Sequence, residues 1–261
     1  MEIKLSIIIL AGNEEKIIAK CLETCSFADE IILVAANSHD KTKKIALKTY
    51  KQIKIIEVND EYNKHFSKWR NLGYKASKGQ WILYIDADER ITSSLQKEIV
   101  GAIKNKDISH YAIPRANYFL GKRVKHGGTY PDYVKRLFNR KYFKGYRGIL
   151  HEEPQIQGQL GYLKNDLLHF THRDLYSMIQ KTIAWTDMEA KALFESNHPK
   201  IVSWRIFRMF FTKLWQRLIK EKMWQDGTIG FISSIYEAFD TFIIYARLWE
   251  LQQNDKKSGN L

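Results

Sequence analysis

Along the first hundred positions, apolar residues follow two alternating rhythms. Short apolar runs at Ser6–Leu10, Glu30–Ala35, Ile53–Val58 and Trp81–Ile85 read as strands, the first of them buried. Between them the pattern turns helical. Ile17, Ile18, Cys21 and Leu22 recur on one face of Glu14–Cys25, and helices are also expected at Thr42–Tyr50, at Lys68–Ser77 before Gly79, and at Ser93–Ile103. Strand and helix alternating at this interval predict an α/β domain with a parallel sheet covered on both faces. Ligands of such sheets gather beyond the carboxyl ends of the strands.

From Ser109 to His172 the pattern breaks into short strands and loops rich in Tyr, Gly, Lys and Arg. This predicts a second half built onto the first. After Asp174 the chain turns helical again, and Lys200–Lys222 gathers Trp204, Phe207, Phe210, Phe211, Leu214, Trp215 and Leu218 into one broad stripe. A last helix, Ile229–Leu251, has Ile232, Ile235, Phe239, Phe242, Ala246 and Trp249 at near-heptad spacing, interrupted by Glu237, Asp240 and Arg247. The interruptions favour packing on the preceding helix or on a second copy over crossing a bilayer. The expected organisation is 1–108, 109–174, a helical extension over 175–251, and a frayed, disordered tail over 252–261.

A chain of 261 residues, 44% of them hydrophobic, with four prolines and no low-complexity tract, can bury a sizeable core. Its formal charge of +13 draws anions: nucleic acid, a phosphate-bearing substrate or an acidic membrane face. Lys200–Lys222 holds seven basic residues against one acid, a net +6, which is the make-up of an interfacial helix; packing of the same stripe on the sheet domain is the competing reading. A nucleic-acid binder is the weakest alternative, since no readout module is recognisable and carboxylates at the strand ends would repel the ligand. Cys21 and Cys25 lack the second pair a zinc site needs and read as free, buried thiols of a reducing compartment. The apolar run at the start is too short for a secretory segment, and no stretch reaches the roughly 18 uncharged apolar residues of a membrane span, so a cytoplasmic protein is expected.

The chemistry concentrates in Trp81-Ile-Leu-Tyr-Ile-Asp86-Ala-Asp88-Glu89-Arg90. Residues i and i+2 of a strand face one side, so two carboxylates there suit a divalent ion that shares its shell with water and a diphosphate. An Asp-x-Asp triplet also ends strands and caps helices, so its neighbours decide its meaning. Asn13-Glu14-Glu15 follows the first strand, Asn37-Ser38-His39-Asp40-Lys41-Thr42 the second, and Arg70-Asn71 precedes the Asp86 strand. Each could be a helix cap, but polar residues at three successive strand ends resemble a nucleotide-diphosphate pocket.

Together with Arg136-Leu-Phe, His151-Glu152-Glu153, His169-Phe-Thr-His172 and Trp224-Gln-Asp226-Gly227, these motifs resemble, in order and spacing, the inverting, metal-dependent glycosyltransferases of family 2. Within that family the chain is similar to the lipopolysaccharide-core glucosyltransferase group. The resemblance implies a GT-A fold with a C-terminal helical extension. It also implies transfer of a hexose, in that group glucose, from a nucleoside-diphosphate sugar to a lipid-linked saccharide of lipopolysaccharide or lipooligosaccharide core. A capsule, O-antigen or other surface polysaccharide acceptor is the alternative. Asp88 and His169 would hold Mg²⁺ or Mn²⁺, and Asn13, Glu14, Asp40, Arg70, Asp86 and Arg136 would line the nucleotide sugar. Glu152 would be the catalytic base, with Glu153 the fallback. The implied location is the cytoplasmic face of the inner membrane, with the anionic membrane surface and a homo-oligomer through the C-terminal helices as expected partners.

One position departs from the family. Its usual acid after the second strand, which contacts the uracil ring, is Ala35 here, in Val34-Ala35-Ala36-Asn37-Ser38-His39-Asp40. Preference for uridine therefore does not follow from the motif.

Overall fold

A computed structural model describes residues 4–59, 65–128, 130–148, 152–171 and 173–258, with the side chains at 181, 184 and 255–258 excepted. The chain forms two compact units, Met1–Ala116 with Pro131–His169, and Asn117–Tyr130 with Phe170–Leu261.

In the first unit β1 (Leu5–Ala11), β2 (Glu30–Ala36), β3 (Lys54–Val58) and β4 (Trp81–Asp86) are joined by α1 (Ile18–Cys25), α2 (Thr42–Thr49) and α3 (Phe66–Ala76). These strands lie parallel in the order β3-β2-β1-β4, as the alternating rhythm predicts. Side-chain alternation splits the core in two. Ile7, Ile9, Leu33 and Leu83 pack with Ile18, Cys21, Leu22 and Cys25 of α1, while Ile8, Val34, Ile82 and Tyr84 face Trp69 of α3. Both cysteines are free and buried; the hydrogen bond to Cys25 and burial raise the Cys21 thiol well above its ordinary value, so it stays a neutral core group.

The sheet is mixed rather than wholly parallel. After β4 come β5 (Glu89–Ile91), α4 (Ser93–Ala102), β6 (His110–Phe119), β7 (Lys122–Arg123), β8 (Asp132–Asn139), β9 (Phe143–Arg147), β10 (Glu153–Ile156), β11 (Leu160–Tyr162) and β12 (Leu167–His169). β8 is antiparallel to β4 and β6 antiparallel to β8; the order then runs through β12 to β5, while β9 and β10 form a separate ribbon. The expected boundary at 108/109 therefore falls inside one unit, because β6 and β8 extend the same sheet through their hydrogen-bond ladders.

Residues 117–130, expected with the second half of the sheet domain, belong instead to the helical unit. Phe119 and Val124 bury themselves with Met178, Met223, Ile229 and Tyr236, and Asp226 accepts hydrogen bonds from the backbone N–H groups of Lys125 and His126 at 3.1 and 2.9 Å. That unit comprises α5 (Leu175–Glu195), capped by Asp174 through the Ser177 N–H at 2.8 Å, α6 (Ser203–Trp215) and α7 (Thr228–Ser258). The helix expected across 200–222 is α-helical only to Trp215. It continues as a π turn, Gln216–Lys220, where buried Arg217 turns inward to the Gly127 carbonyl, Glu221 and, at 2.5 Å, Glu237.

The expected frayed tail is helical through Ser258, the last described residue. Gln252 explains its start: its side chain accepts from the Ile201 N–H at 2.9 Å and donates to the His198 carbonyl at 3.0 Å. Over Thr228–Asn254, α7 is long and apolar enough to cross a membrane, with mean hydropathy 1.2 and one-third of the apolar window buried (33%). Its charges are nonetheless partnered inside the unit: Arg247 by Asp187 at 2.9 Å, Asp240 by the Thr182 hydroxyl at 2.8 Å, and Glu237 by Arg217.

Asn71 on α3 clasps β9, accepting from the Tyr146 N–H at 2.8 Å and donating to its carbonyl at 2.9 Å. Gly145 passes beside it with φ +104°, and a Cβ there would lie 2.5 Å from Asn71 Oδ1. Gly145→Ala should therefore cost about 1–3 kcal/mol from backbone strain and the disturbed clasp. Urea unfolding of the variant beside the parent measures this directly; equal midpoints would mean that the clasp is not required.

Candidate active site

The strand order reverses direction of growth at β1, and ligands of such sheets sit where neighbouring crossovers diverge, beyond the strand ends. At this edge Leu10 of β1 is in register with Asp86 of β4, and the Ala87 N–H donates to the Leu10 carbonyl at 3.2 Å. The chain then turns through Asp88 into β5. The Asp86 N–H donates to Glu89 Oε2 at 2.8 Å, and β12 pins β5 by antiparallel pairing that sets His169 opposite Glu89.

Around Asp86 a chain of alternating charge assembles from distant elements. Arg70, on the sheet-facing side of α3, donates from Nε to Glu152 Oε1 at 2.7 Å and from Nη2 to Asp86 Oδ1 at 3.0 Å. Arg136 of β8 donates from Nη2 to Asp86 Oδ2 at 2.5 Å and to Glu89 Oε1 at 2.9 Å. Arg115 of β6 stands 3.8 Å from Glu89 and binds Asp132 at 2.6 Å. The order is thus Glu152, Arg70, Asp86, Arg136, Glu89, Arg115, Asp132. The rings of Tyr84 and Tyr146 both lie 5.6 Å from the Arg70 guanidinium carbon.

Burial and charge oppose each other along this chain. Burial alone would raise the Asp86 pKa, but Arg136 and then Arg70 outweigh it and hold the carboxyl well below the usual carboxylate range. Burial works against the charge of both arginines as well, and Asp86, the largest opposing influence, keeps each above its ordinary value. Glu89, fully buried, moves the other way: burial raises it, and Asp86 adds to the rise against the pull of Arg136. Burial pushes Tyr146 up to about 12, so its hydroxyl remains protonated. Three polar atoms of the cluster are buried without a hydrogen-bond partner: Arg70 Nη1, Arg136 Nε and Glu152 Oε2. Buried polar atoms are ordinarily paired, so these three set the cluster apart from a fully satisfied ion network.

Asp88 and His169 meet beside this chain, with Oδ2 and Nε2 3.6 Å apart and both side chains partly open to solvent. Among the described residues no group of three His, Cys, Asp or Glu could hold a metal ion. Asn13, Glu14 and Asp40 form a second group at the ends of β1 and β2. Asn13 Oδ1 accepts from the His39 and Asp40 N–H groups at 2.8 and 3.2 Å, and the Glu14 N–H donates to Thr42 Oγ1 at 2.8 Å. The Asp40 carboxylate is taken up by the same lacing, accepting from the Glu15 N–H at 2.9 Å and the Thr42 N–H at 3.0 Å. Burial opposes its ionisation, yet the bonds from Thr42, Glu15 and Ser38 prevail and lower its pKa.

Glu153 is exposed on the β9–β10 ribbon, opposite Arg147, and makes no part of the charge chain. Ala35 is buried in the core. His151 and His172 lie outside the described residues. Glu89, Arg115, Tyr84 and Tyr146 belong to the cluster yet went unassigned from the sequence. Glu89 carried a signal, a charge next to Asp88 at the end of an apolar strand; Arg115 is recognisable only through sheet register, and Tyr84 and Tyr146 only through their packing on Arg70.

Residues 6–168 match the family model for glycosyl transferase family 2, and the chain belongs to that family. It is a glycosyltransferase with a GT-A fold and a C-terminal helical region. It is 25% identical to the lipopolysaccharide core biosynthesis glycosyltransferase LpsC of Rhizobium meliloti, over 95% of this chain and 93% of that one. An uncharacterized glycosyltransferase of Rickettsia conorii is 24% identical over 99% of this chain and 93% of its own length. Among solved structures, S. aureus TarS 1-349 in complex with UDP-GlcNAc shares the fold with a TM-score of 0.50 at 13% identity, covering 97% of this chain and 92% of that one.

Asp86→Asn should remove the anion that two buried arginines share. A fully buried pair broken on one side loses about 3–5 kcal/mol; Asp86 keeps an edge to solvent, so about 2–3 kcal/mol is expected. Because the folded-state pKa of Asp86 is depressed, its contribution is present above the unfolded value, about 3.9, and is lost as pH falls through the lower folded value. Thermal melts from neutral to strongly acidic pH should show the parent losing this increment on the acid side. The Asp86→Asn protein should lack that part of the slope; matching profiles would contradict the assignment.

Proposed function

We propose that this glycosyltransferase moves a hexose, with inversion, from a nucleoside-diphosphate sugar to a lipid-linked saccharide of lipopolysaccharide or lipooligosaccharide core at the cytoplasmic face of the membrane. The observation that carries the reading is the Arg70 bridge. One guanidinium holds Glu152 and Asp86 together at the strand end where Asp88 and His169 also meet. In this reading Glu152 serves as proton acceptor beside a diphosphate site that includes Asp86 and Asp88. The near full-length similarity to LpsC supports the choice of acceptor.

Glu152 is the proposed general base. Its Oε1 is held by Arg70, and its buried Oε2 makes no hydrogen bond, which leaves that oxygen with the capacity to take a proton. As that proton moves to Glu152, the acceptor oxygen bonds to the anomeric carbon. The bond from that carbon to the diphosphate oxygen breaks on the opposite face, and its electron pair leaves with the nucleoside diphosphate. Arg70 and Arg136 each keep one buried donor atom unpaired, suited to oxygen atoms of the donor. Asn13, Glu14 and Asp40 would shape the nucleoside end.

The Asp88–His169 pair fits Mg²⁺ or Mn²⁺. The Asp88 carboxylate is a hard oxygen ligand for an ion that completes its shell with water and diphosphate, and His169 stands beside it. Bound there, the ion would offset charge on the departing diphosphate. Ala35 leaves the nucleotide base to be chosen by other groups.

Glu152→Gln should keep donor affinity while turnover falls by roughly 10²–10⁴-fold, the usual worth of a positioned base. Parent-like rates would move the base elsewhere. Asp88→Ala should abolish the divalent dependence of donor binding in calorimetry with the fold intact, and retained dependence would sink the metal assignment. Nucleotide release from UDP-, GDP- and dTDP-sugars with Mn²⁺ or Mg²⁺ identifies the donor; release from none of them would count against the reaction.

A further inference from the structure

The stripe on α6 settles on solvent. No residue of this helix is buried, and Trp204, Phe207, Phe211 and Trp215, spaced three and four apart on one face, are 59%, 67%, 59% and 59% exposed. The face continues onto α7. Phe207, Phe210 and Phe211 line an apolar groove of about 350 Å³ together with Phe242, which stacks on Phe239 at 6.1 Å. Large aromatic residues on adjoining helices, open to water in one contiguous patch, mark an interaction surface.

Charge decides what covers it. Lys200, Arg208, Lys220 and Lys222 are exposed around the stripe, and Arg208 lies over the Trp204 ring at 5.2 Å. The one acid of the segment, Glu221, is already taken by Arg217. A second copy of this chain would bring one such basic rim against another, a costly juxtaposition. An anionic bilayer surface complements both parts, since lysine and arginine heads meet phosphates while Trp and Phe rings enter the headgroup boundary. Trp204 and Trp215 stand at opposite ends of a helix about 20 Å long, which suits a helix lying in the plane of that surface.

We infer that the exposed aromatic face of α6, with Phe239 and Phe242 of α7, is an interfacial docking surface for anionic lipid bilayers. The surface holds the chain on the membrane peripherally, through a shallow apolar face ringed by cations. This inference goes beyond the transfer reaction and rests on binding alone, so failure of either leaves the other standing.

The test is flotation of the full chain with vesicles of phosphatidylglycerol and phosphatidylcholine, against phosphatidylcholine alone. The parent should float with the anionic vesicles, weakly with the neutral ones, and be released by high salt and alkaline carbonate. The exposed substitutions Arg208→Gln, Lys220→Gln and Lys222→Gln together should lower partitioning about a hundredfold, roughly fivefold per basic residue. Phe207→Ser with Phe211→Ser should lower it at least tenfold. Unchanged near-ultraviolet dichroism in each variant confirms that it is folded. Three results would overturn the inference: flotation indifferent to lipid charge, retention after carbonate, or a parent dimer in sedimentation velocity that Phe207→Ser with Phe211→Ser dissociates. Should the double Phe variant misfold, the charge variant alone decides.

Discussion

Everything at the strand ends of the first unit depends on keeping Arg70 and Arg136 charged while buried. A guanidinium taken from water is costly unless it meets an anion with good geometry. Here Asp86 serves both, one oxygen to each, and Glu152 and Glu89 take the outer positions. The alternating order means that no charge in the line faces its own sign alone. It also ties α3, β4, β5, β8 and the segment before β10 into one body at the place where the chemistry is proposed.

This arrangement changes how the Asp-x-Asp pair is understood. The two carboxylates do different work although they are two residues apart. Asp86 is held ionised between arginines, whereas Asp88, past the strand end, stands beside His169. Glu89 completes the division by anchoring the turn itself, accepting from the Asp86 N–H. In the proposed reading the first carboxylate braces the site and the second, two positions on, faces the ligand.

The second unit follows a different rule. Its buried arginine, Arg217, is paired with the Gly127 carbonyl, Glu221 and Glu237, and Arg247 pairs with Asp187 nearer the surface. Its aromatic residues are left outward. An exposed Trp and Phe face bordered by basic side chains is the surface that the inferred anionic bilayer would cover.

Much of the first unit was legible in the chain. Apolar runs gave the four parallel strands: β1, β2 and β4 are buried along nearly their whole length, while β3 at the sheet edge keeps Lys54 and Glu57 exposed among its apolar residues. The Asp86–Arg90 segment and the polar strand ends were visible as charges where an apolar pattern stops, whereas Glu152 was marked only by the resemblance of its motif to the family. What the sequence could not carry was the pairing of distant segments. β6 and β8 have mixed patterns, so their place beside β4, and with it the partnership of Arg136 with Asp86 and of Arg115 with Glu89, follows from register alone. The same holds for residues 117–130, whose burial against the helices rests on contacts a hundred residues away in the chain. Periodicity also found the stripe on α6 but left open whether it faced a core or the outside. Only the folded chain decided that, because amphipathicity specifies which side of a helix seeks an apolar neighbour, and packing determines whether one is supplied.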